Sequence, residues 1–165
     1  MLVTALPFES KICAPQDLAA RLKSVARPLV FTNGVFDLLH RGHVTYLAQA
    51  RALGASLLVA INSDASARRL DKGAERPINA LEDRIALVAA LESVTLATWF
   101  EDDTPLALIL RLKPDVLVKG GDWKPEAIVG AREVMGWGGA VHSIPFAHER
   151  STTALIDRIR STRGA

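Results

Sequence analysis

Short apolar runs alternate along the chain with longer segments whose apolar positions recur every three or four residues, the pattern of buried strands alternating with amphipathic helices. Leu29-Val30-Phe31-Thr32 is the first such run and ends at Asn33-Gly34, a strand followed by a turn. Val44, Leu47, Ala48 and Arg51 then fall at helical spacing, with Gly54 placed as a helix C-cap. Leu57–Ile61 is a second buried strand. Residues 62–77 are polar and without a clear period, which predicts a loop with room for one helical turn. Asn79-Ala80-Leu81-Glu82 has the form of a capping box opening a helix through Leu91, and Val94–Phe100 reads as a third strand. Thr104-Pro105 starts a helix that must end before Pro114. Val116-Leu117-Val118 is a fourth strand running into Lys119-Gly120-Gly121-Asp122-Trp123. Pro125 opens a helix ending near Gly136, Val141–Ile144 is a fifth strand, and Ser151 caps a last helix through Arg160.

Five short apolar strands separated by helices predict an α/β fold: a doubly wound parallel sheet, Rossmann-like, with helices on both faces and ligands at the carboxyl ends of the strands. The expected order is 3-2-1-4-5. The expected organisation is one domain over residues 1–165, with a core over 28–160. Residues 1–27 read as an extra arm in which Pro15–Val25 forms a short helix outside the sheet.

Composition narrows the classes of function. The 165 residues are 49% hydrophobic and 23% charged, a globular balance. Lys and Arg number 20 against 18 Asp and Glu, a net charge of +2 that provides no basic field for nucleic acid. Phosphate recognition must therefore be local. Cys13 stands alone, so neither an intramolecular disulfide nor a cysteine-rich zinc site is possible. No apolar run reaches the length of a membrane span, and Met1–Ser10 does not read as a signal peptide. A cytoplasmic location is expected.

The chemistry concentrates between the first strand and the first helix, in Phe31-Thr32-Asn33-Gly34-Val35-Phe36-Asp37-Leu38-Leu39-His40-Arg41-Gly42-His43. A helix entrance presents unpaired N–H groups and the positive end of a dipole, a ready site for an anion. Gly34 permits a tight turn and Gly42 a close approach of phosphate. His40 and His43, three apart, project to one side of the first turn and are placed to donate to the oxygens of a transferring phosphoryl group. As a metal pair they lack a third ligand at useful spacing. Ser151-Thr152-Thr153, preceded by Arg150, forms a second hydroxyl-rich helix entrance, where Ser151 also serves as an ordinary cap. Lys72 and Arg76 lie in the long polar loop, where cations can close over a polyphosphate. In a sheet of the expected order, the loop Lys119–Trp123 faces the histidines across the cleft. Lys119 is there a candidate for an acceptor phosphate and Asp122 for a metal or hydroxyl contact. Asp37 either binds substrate or holds its loop by hydrogen bonds. His142, Trp137 and the acidic turn Glu101-Asp102-Asp103 read as structural or solvated positions, and His148 as a loop residue that, near Arg150, is also a substrate-side candidate.

Gly34-x-Phe36-Asp37-x-x-His40-x-Gly42-His43 resembles the signature of the cytidylyltransferase-like nucleotidyltransferase superfamily, and Ser151-Thr152-Thr153 matches its second signature. The resemblance runs from about Lys11 to Arg160. Through Lys72-Gly73, Arg76-Pro77, Val118–Trp123 and Arg150–Thr153 it is similar to the branch that moves AMP from ATP onto a bacterial heptose 1-phosphate for lipopolysaccharide-core precursors. The resemblance implies catalytic roles for His40, His43 and Lys72. It implies nucleotide contacts at Thr32, Asn33, Gly34, Phe36, Gly42, Arg76, Gly121, Asp122, Ser151, Thr152 and Thr153. It implies acceptor contacts at Asp37, Lys119, Trp123 and Arg150. Mg²⁺ is expected with ATP, no protein metal site is expected, and a separate sugar kinase must supply the phosphorylated sugar. A homodimer is expected too. Transfer of CMP to glycerol phosphate or a phosphorylated amino alcohol is the alternative within the class. A nucleotide-binding regulatory module is the alternative outside it. A dinucleotide oxidoreductase is disfavoured, since no Gly-x-Gly-x-x-Gly follows the first strand.

Overall fold

A computed structural model describes residues 6–70, 75–147 and 151–162. Strands β1 (Leu29–Gly34), β2 (Ser56–Asn62), β3 (Leu96–Phe100), β4 (Val116–Gly120) and β5 (Ala140–Ile144) form one sheet in the order β3-β2-β1-β4-β5. Every pairing is parallel, in registers such as Val30↔Leu57 and Val30↔Val116. The helices that connect and flank them are α1 (Leu18–Arg21), α2 (Arg41–Arg51), α3 (Asp64–Arg69), α4 (Leu81–Ala89), α5 (Leu106–Leu112), α6 (Ala131–Gly136) and α7 (Thr152–Ser161). The doubly wound Rossmann-like sheet of the expected order is what the chain adopts.

Strand periodicity explains the two-sided core. Successive side chains of a strand point to opposite faces. Val30, Leu57, Val59 and Ile61 accordingly pack on one face with Leu47, Ile85 and Val88. Phe31, Leu58 and Ala60 pack on the other with Leu108, Ile109 and Val134. All seven residues of β2 are buried, as a central strand covered on both faces requires.

Several local expectations shift. Asn79 does not cap α4. Its backbone N–H and side-chain amide both donate to Asp37, at 3.0 and 2.9 Å, and Ala80 takes the N-cap position instead. The backbone N–H goes to the buried carboxylate and the side-chain amide to the Asp37 backbone carbonyl, which turns the amide away from the local box. The stretch 62–77 contains the six-residue α3, capped by Ser63 accepting from Ser66 N–H, so the polar composition concealed nearly two turns of helix. Pro125 opens only a 3₁₀ turn through Ala127. Gly130 then takes φ 88°, against Ile109, before α6 begins, so the chain reverses where a continuous helix was expected. Pro105, not Thr104, is the N-cap of α5. Gly54 is required by proximity, because a Cβ there would lie 2.5 Å from the Pro28 carbonyl oxygen. The segment before β1 is tied to the body: Cys13 N–H donates to the Ala97 carbonyl at 2.9 Å, and Leu18 is fully buried.

Candidate active site

The carboxyl ends of the strands open into one cavity of about 480 Å³, within the range of small-molecule sites. β1 leads to α2 on one side while β4 lies on its other side, so the cavity sits at the switch point of the sheet. Asn33, Gly34, Phe36, Asp37 and His43 border it from the β1–α2 segment, Arg76 from the turn before α4, Lys119 and Trp123 from β4 and its loop, and Thr152 from α7. The fold thus brings nine of the sixteen described candidates to the cavity, while His40, Thr32, Gly42, Gly121, Asp122, Ser151 and Thr153 do not border it.

His40 is the N-cap of α2 in extended conformation, and its carbonyl accepts from His43 N–H at 2.9 Å. The two imidazoles stack at 3.9 Å between centroids with 23° between their planes, confirming the shared face. Phe36 meets His43 edge-on at 5.3 Å. The positive φ in this loop falls on Phe36 (49°), and Gly34 is needed for another reason: a Cβ there would lie 2.9 Å from the Phe36 ring. A phenylalanine in the left-handed region is costly, and the ring's burial at 5% exposure compensates. Gly42 is buried within the first turn of α2.

Asp37, 2% exposed, accepts from Arg76 Nε at 2.6 Å, Ile78 N–H at 2.8 Å and Asn79 N–H at 3.0 Å. Of the two roles open to it, these bonds account for holding the loop. They also give Arg76 a fixed position at the cavity wall. Lys119 Nζ lies 3.4 Å from Asn33 Oδ1, joining β4 to β1 at the cavity floor. Trp123 folds back with Nε1 donating to the Gly120 carbonyl at 3.1 Å, its indole over Gly121. Asp122 is exposed and does not border the cavity.

At the second helix entrance, Ser151 Oγ accepts from Ala154 N–H at 3.0 Å, and Thr152 Oγ1 donates to the Leu38 carbonyl at 3.4 Å. That bond brings the hydroxyl-rich end of α7 onto the loop that carries the histidines. Thr153 is exposed. No residue of α7 is buried, so its attachment depends on such polar contacts, including an ion pair from Arg160 to Glu75. Ser151→Ala is therefore expected to lose about 1 kcal/mol of helix stability. Hydrogen exchange should speed up within α7 while the sheet amides stay protected. Lys72, His148 and Arg150 lie outside the described residues.

Thr32 does not face the cavity. Its side chain is fully buried and bonded to the Tyr46 hydroxyl at 2.5 Å, which pins α2 against β1. Burial pushes the Tyr46 phenol up to about 12, partly offset by the Thr32 bond. An unfolded tyrosine releases its proton near 10, so between 10 and about 12 the unfolded state binds fewer protons and stability falls as pH rises. Tyr46→Phe is expected to remove that component, visible as a wild-type advantage in denaturant midpoint that shrinks across this window.

Pattern reading missed Arg84. It is fully buried, with Nε donating to the Asn79 carbonyl at 3.0 Å, Nη1 to the Val35 carbonyl at 2.6 Å and Nη2 to Asp64 at 2.6 Å. One guanidinium thereby joins the β1–α2 loop, the turn before α4 and the start of α3. A signal was present: position 84 lies three after Leu81 and four before Val88, on the apolar stripe of α4. Asn62 and Phe146 also border the cavity and carried no motif, as do Thr104 and Asp103, which the sequence offered only as a helix start and a solvated acidic turn.

No described helix is long and apolar enough to cross a membrane. The cytidylyltransferase-like family model matches residues 31–163. A protein of Bordetella bronchiseptica named D-beta-D-heptose 1-phosphate adenylyltransferase is 55% identical over 155 residues, covering 93% of this chain and 96% of its own length. The bifunctional protein HldE of Hahella chejuensis is 58% identical over 132 residues, 80% of this chain but 28% of that protein. Among solved structures, a lipopolysaccharide core biosynthesis protein from Thermoplasma volcanium matches with a TM-score of 0.60 at 30% identity, over 74% of this chain and 98% of its own. A pantoate-beta-alanine ligase from Francisella tularensis has the same fold at TM-score 0.58 and 15% identity, over 86% of this chain and 68% of its own.

Proposed function

The chain belongs to the cytidylyltransferase-like family, and from that premise we propose that it transfers AMP from ATP to D-glycero-β-D-manno-heptose 1-phosphate, giving ADP-heptose and pyrophosphate. The observation that carries the reading is the meeting of stacked His40 and His43 with the Thr152 end of α7 at one switch-point cavity. The 55% identity to a heptose 1-phosphate adenylyltransferase over nearly its whole length supplies the substrate pair.

In this mechanism a phosphate oxygen of the sugar 1-phosphate attacks the α-phosphorus of ATP in line. The new P–O bond forms as the bond from the α-phosphorus to the bridging oxygen breaks, and that electron pair leaves with pyrophosphate. No covalent enzyme intermediate is needed, so the protein's task is positioning and charge stabilisation. His43, at the cavity wall, donates to the α-phosphate oxygens as charge gathers there, with His40 stacked against it and the N–H groups at the start of α2 beside it. Lys119 holds the acceptor phosphate. The start of α7, with Ser151, Thr152 and Thr153, receives the leaving pyrophosphate, and Lys72 and Arg150 are assigned to the same polyphosphate and acceptor by the family signature. The apolar wall of Trp123, Val129 and Phe146 suits the flat adenine, an assignment that moves Trp123 from the acceptor contacts implied by the resemblance to the nucleotide.

The described residues contain no group of three His, Cys, Asp or Glu side chains arranged to hold an ion. We propose Mg²⁺ as part of the substrate, carried by the triphosphate, whose oxygens are the hard ligands it favours. A kinase acting at the anomeric oxygen must supply the sugar 1-phosphate. The chain spans 28% and 30% of two bifunctional HldE proteins it matches, and we assign the phosphorylation step to a sugar kinase. A homodimer working in the cytoplasm, where ATP is abundant, completes the proposal.

The test is pyrophosphate release from ATP and from CTP, each with heptose 1-phosphate, glycerol 3-phosphate and phosphocholine. Release with ATP and heptose 1-phosphate is expected. Preference for CTP with either of the other acceptors would overturn the assignment.

A further inference from the structure

Resting on the reading of the chain as a sugar 1-phosphate adenylyltransferase, we propose that the cavity's β2–β3 end is a hydroxyl-binding subsite for the acceptor sugar, formed by Asn62 and Thr104 with Asp103 at its rim. The two ends of the cavity differ in chemistry. Beyond β4 the walls are Trp123, Val129 and Phe146, which offer flat or apolar surface. Beyond β2 and β3, Leu70 and Pro105 also border the cavity, but Asn62, Asp103 and Thr104 add the hydrogen-bonding groups that the other end lacks. A polyhydroxylated ring needs the second kind of wall.

Asn62 is the last residue of β2 and only 3% exposed, yet it borders the cavity. The direction of its amide follows from its neighbours. The Ser66 hydroxyl gives its single proton to the Asp102 carbonyl at 2.7 Å, so towards Asn62 it acts as an acceptor. It takes the Asn62 amide nitrogen at 2.9 Å, which turns the amide oxygen to the opposite side. The amide oxygen is not one of the buried side-chain atoms left without a partner, so at the cavity wall it is open to accept, and a sugar hydroxyl is a donor. Thr104 adds a hydroxyl able to donate or accept. The Asp103 carboxylate is paired with Arg69 at 2.5 Å, which limits its repulsion of a phosphorylated ligand.

The spacing fits one monosaccharide. Neighbouring strands lie about 4.8 Å apart, so the ends of β2 and β3 stand roughly 5 and 10 Å from the β1 loop beside which phosphoryl transfer is placed. A sugar ring attached to the reacting phosphate reaches across that distance.

The experiment measures KM for the sugar 1-phosphate and for ATP separately, by pyrophosphate release, in wild type, Asn62→Ala and Thr104→Val. Thr104 is exposed, so its variant leaves the interior of the fold intact and decides the matter should Asn62→Ala fail to fold. Loss of a ligand hydrogen bond is expected to raise acceptor KM about tenfold, with ATP KM within about twofold of wild type. An active wild type whose folded variants keep the original acceptor KM, or whose ATP KM rises in step, overturns the subsite alone. A wild type that releases no pyrophosphate with any sugar 1-phosphate overturns the activity, and the subsite with it.

Discussion

His43→Ala should slow turnover about 30- to 1,000-fold, equivalent to about 2–4 kcal/mol of barrier, the range for removing one donor to a developing oxyanion. His43 borders the cavity itself, while His40 stacks behind it at 3.9 Å. The loss should fall on kcat, because a donor aimed at charge that grows only in the transition state contributes little to binding the ground state. Thermal stability should change little, since the half-exposed ring is not part of either core cluster. Single-turnover kinetics with saturating ATP and sugar phosphate check the first part, and a melting curve the second. Near-normal kcat in a folded variant would remove the imidazoles from the mechanism.

Arg84→Ala should cost stability by about 3 kcal/mol, the largest structural effect expected from a single polar side chain here. Its removal strands the carbonyls of Val35 and Asn79 and leaves Asp64, itself 30% exposed, without its guanidinium partner. For a chain of this length about 3 kcal/mol corresponds to a fall in Tm of roughly 6–12 °C. Arg84→Met, which keeps most of the volume, should lose nearly as much, because unsatisfied acceptors rather than an empty space set the cost. Arg84→Lys should fall between, retaining the charge opposite Asp64 without the forked donors that reach two carbonyls. Equilibrium denaturation of the three variants gives the order. An alanine variant as stable as wild type would show the network to be incidental.

The two predictions mark different kinds of legibility. His40 and His43 were readable because their roles depend on short-range geometry. A strand, a turn and a first helical turn fix three residues' worth of spacing wherever the fold places them. The same holds for Ser151, whose cap on α7 is local. Asn79 shows the limit of local reading: the box was present in sequence, but Asp37, distant along the chain, took both of its donors. Arg84 was hidden because charge predicts exposure, and only three acceptors assembled from separate loops make its burial tolerable. Asn62 carries no motif and Thr104 only that of a helix start; their claim on the cavity comes from where β2 and β3 happen to stop.

By itself, then, the order of apolar runs determined a parallel doubly wound sheet and two anion-binding helix entrances, because periodicity and capping are properties of neighbouring residues. Only the folded chain decided that those entrances meet through Thr152 and Leu38, that Thr32 turns away to Tyr46, and that Asp37 and Arg84 brace the loop between them. Those outcomes depend on contacts between residues far apart in sequence, and such contacts have no periodic trace.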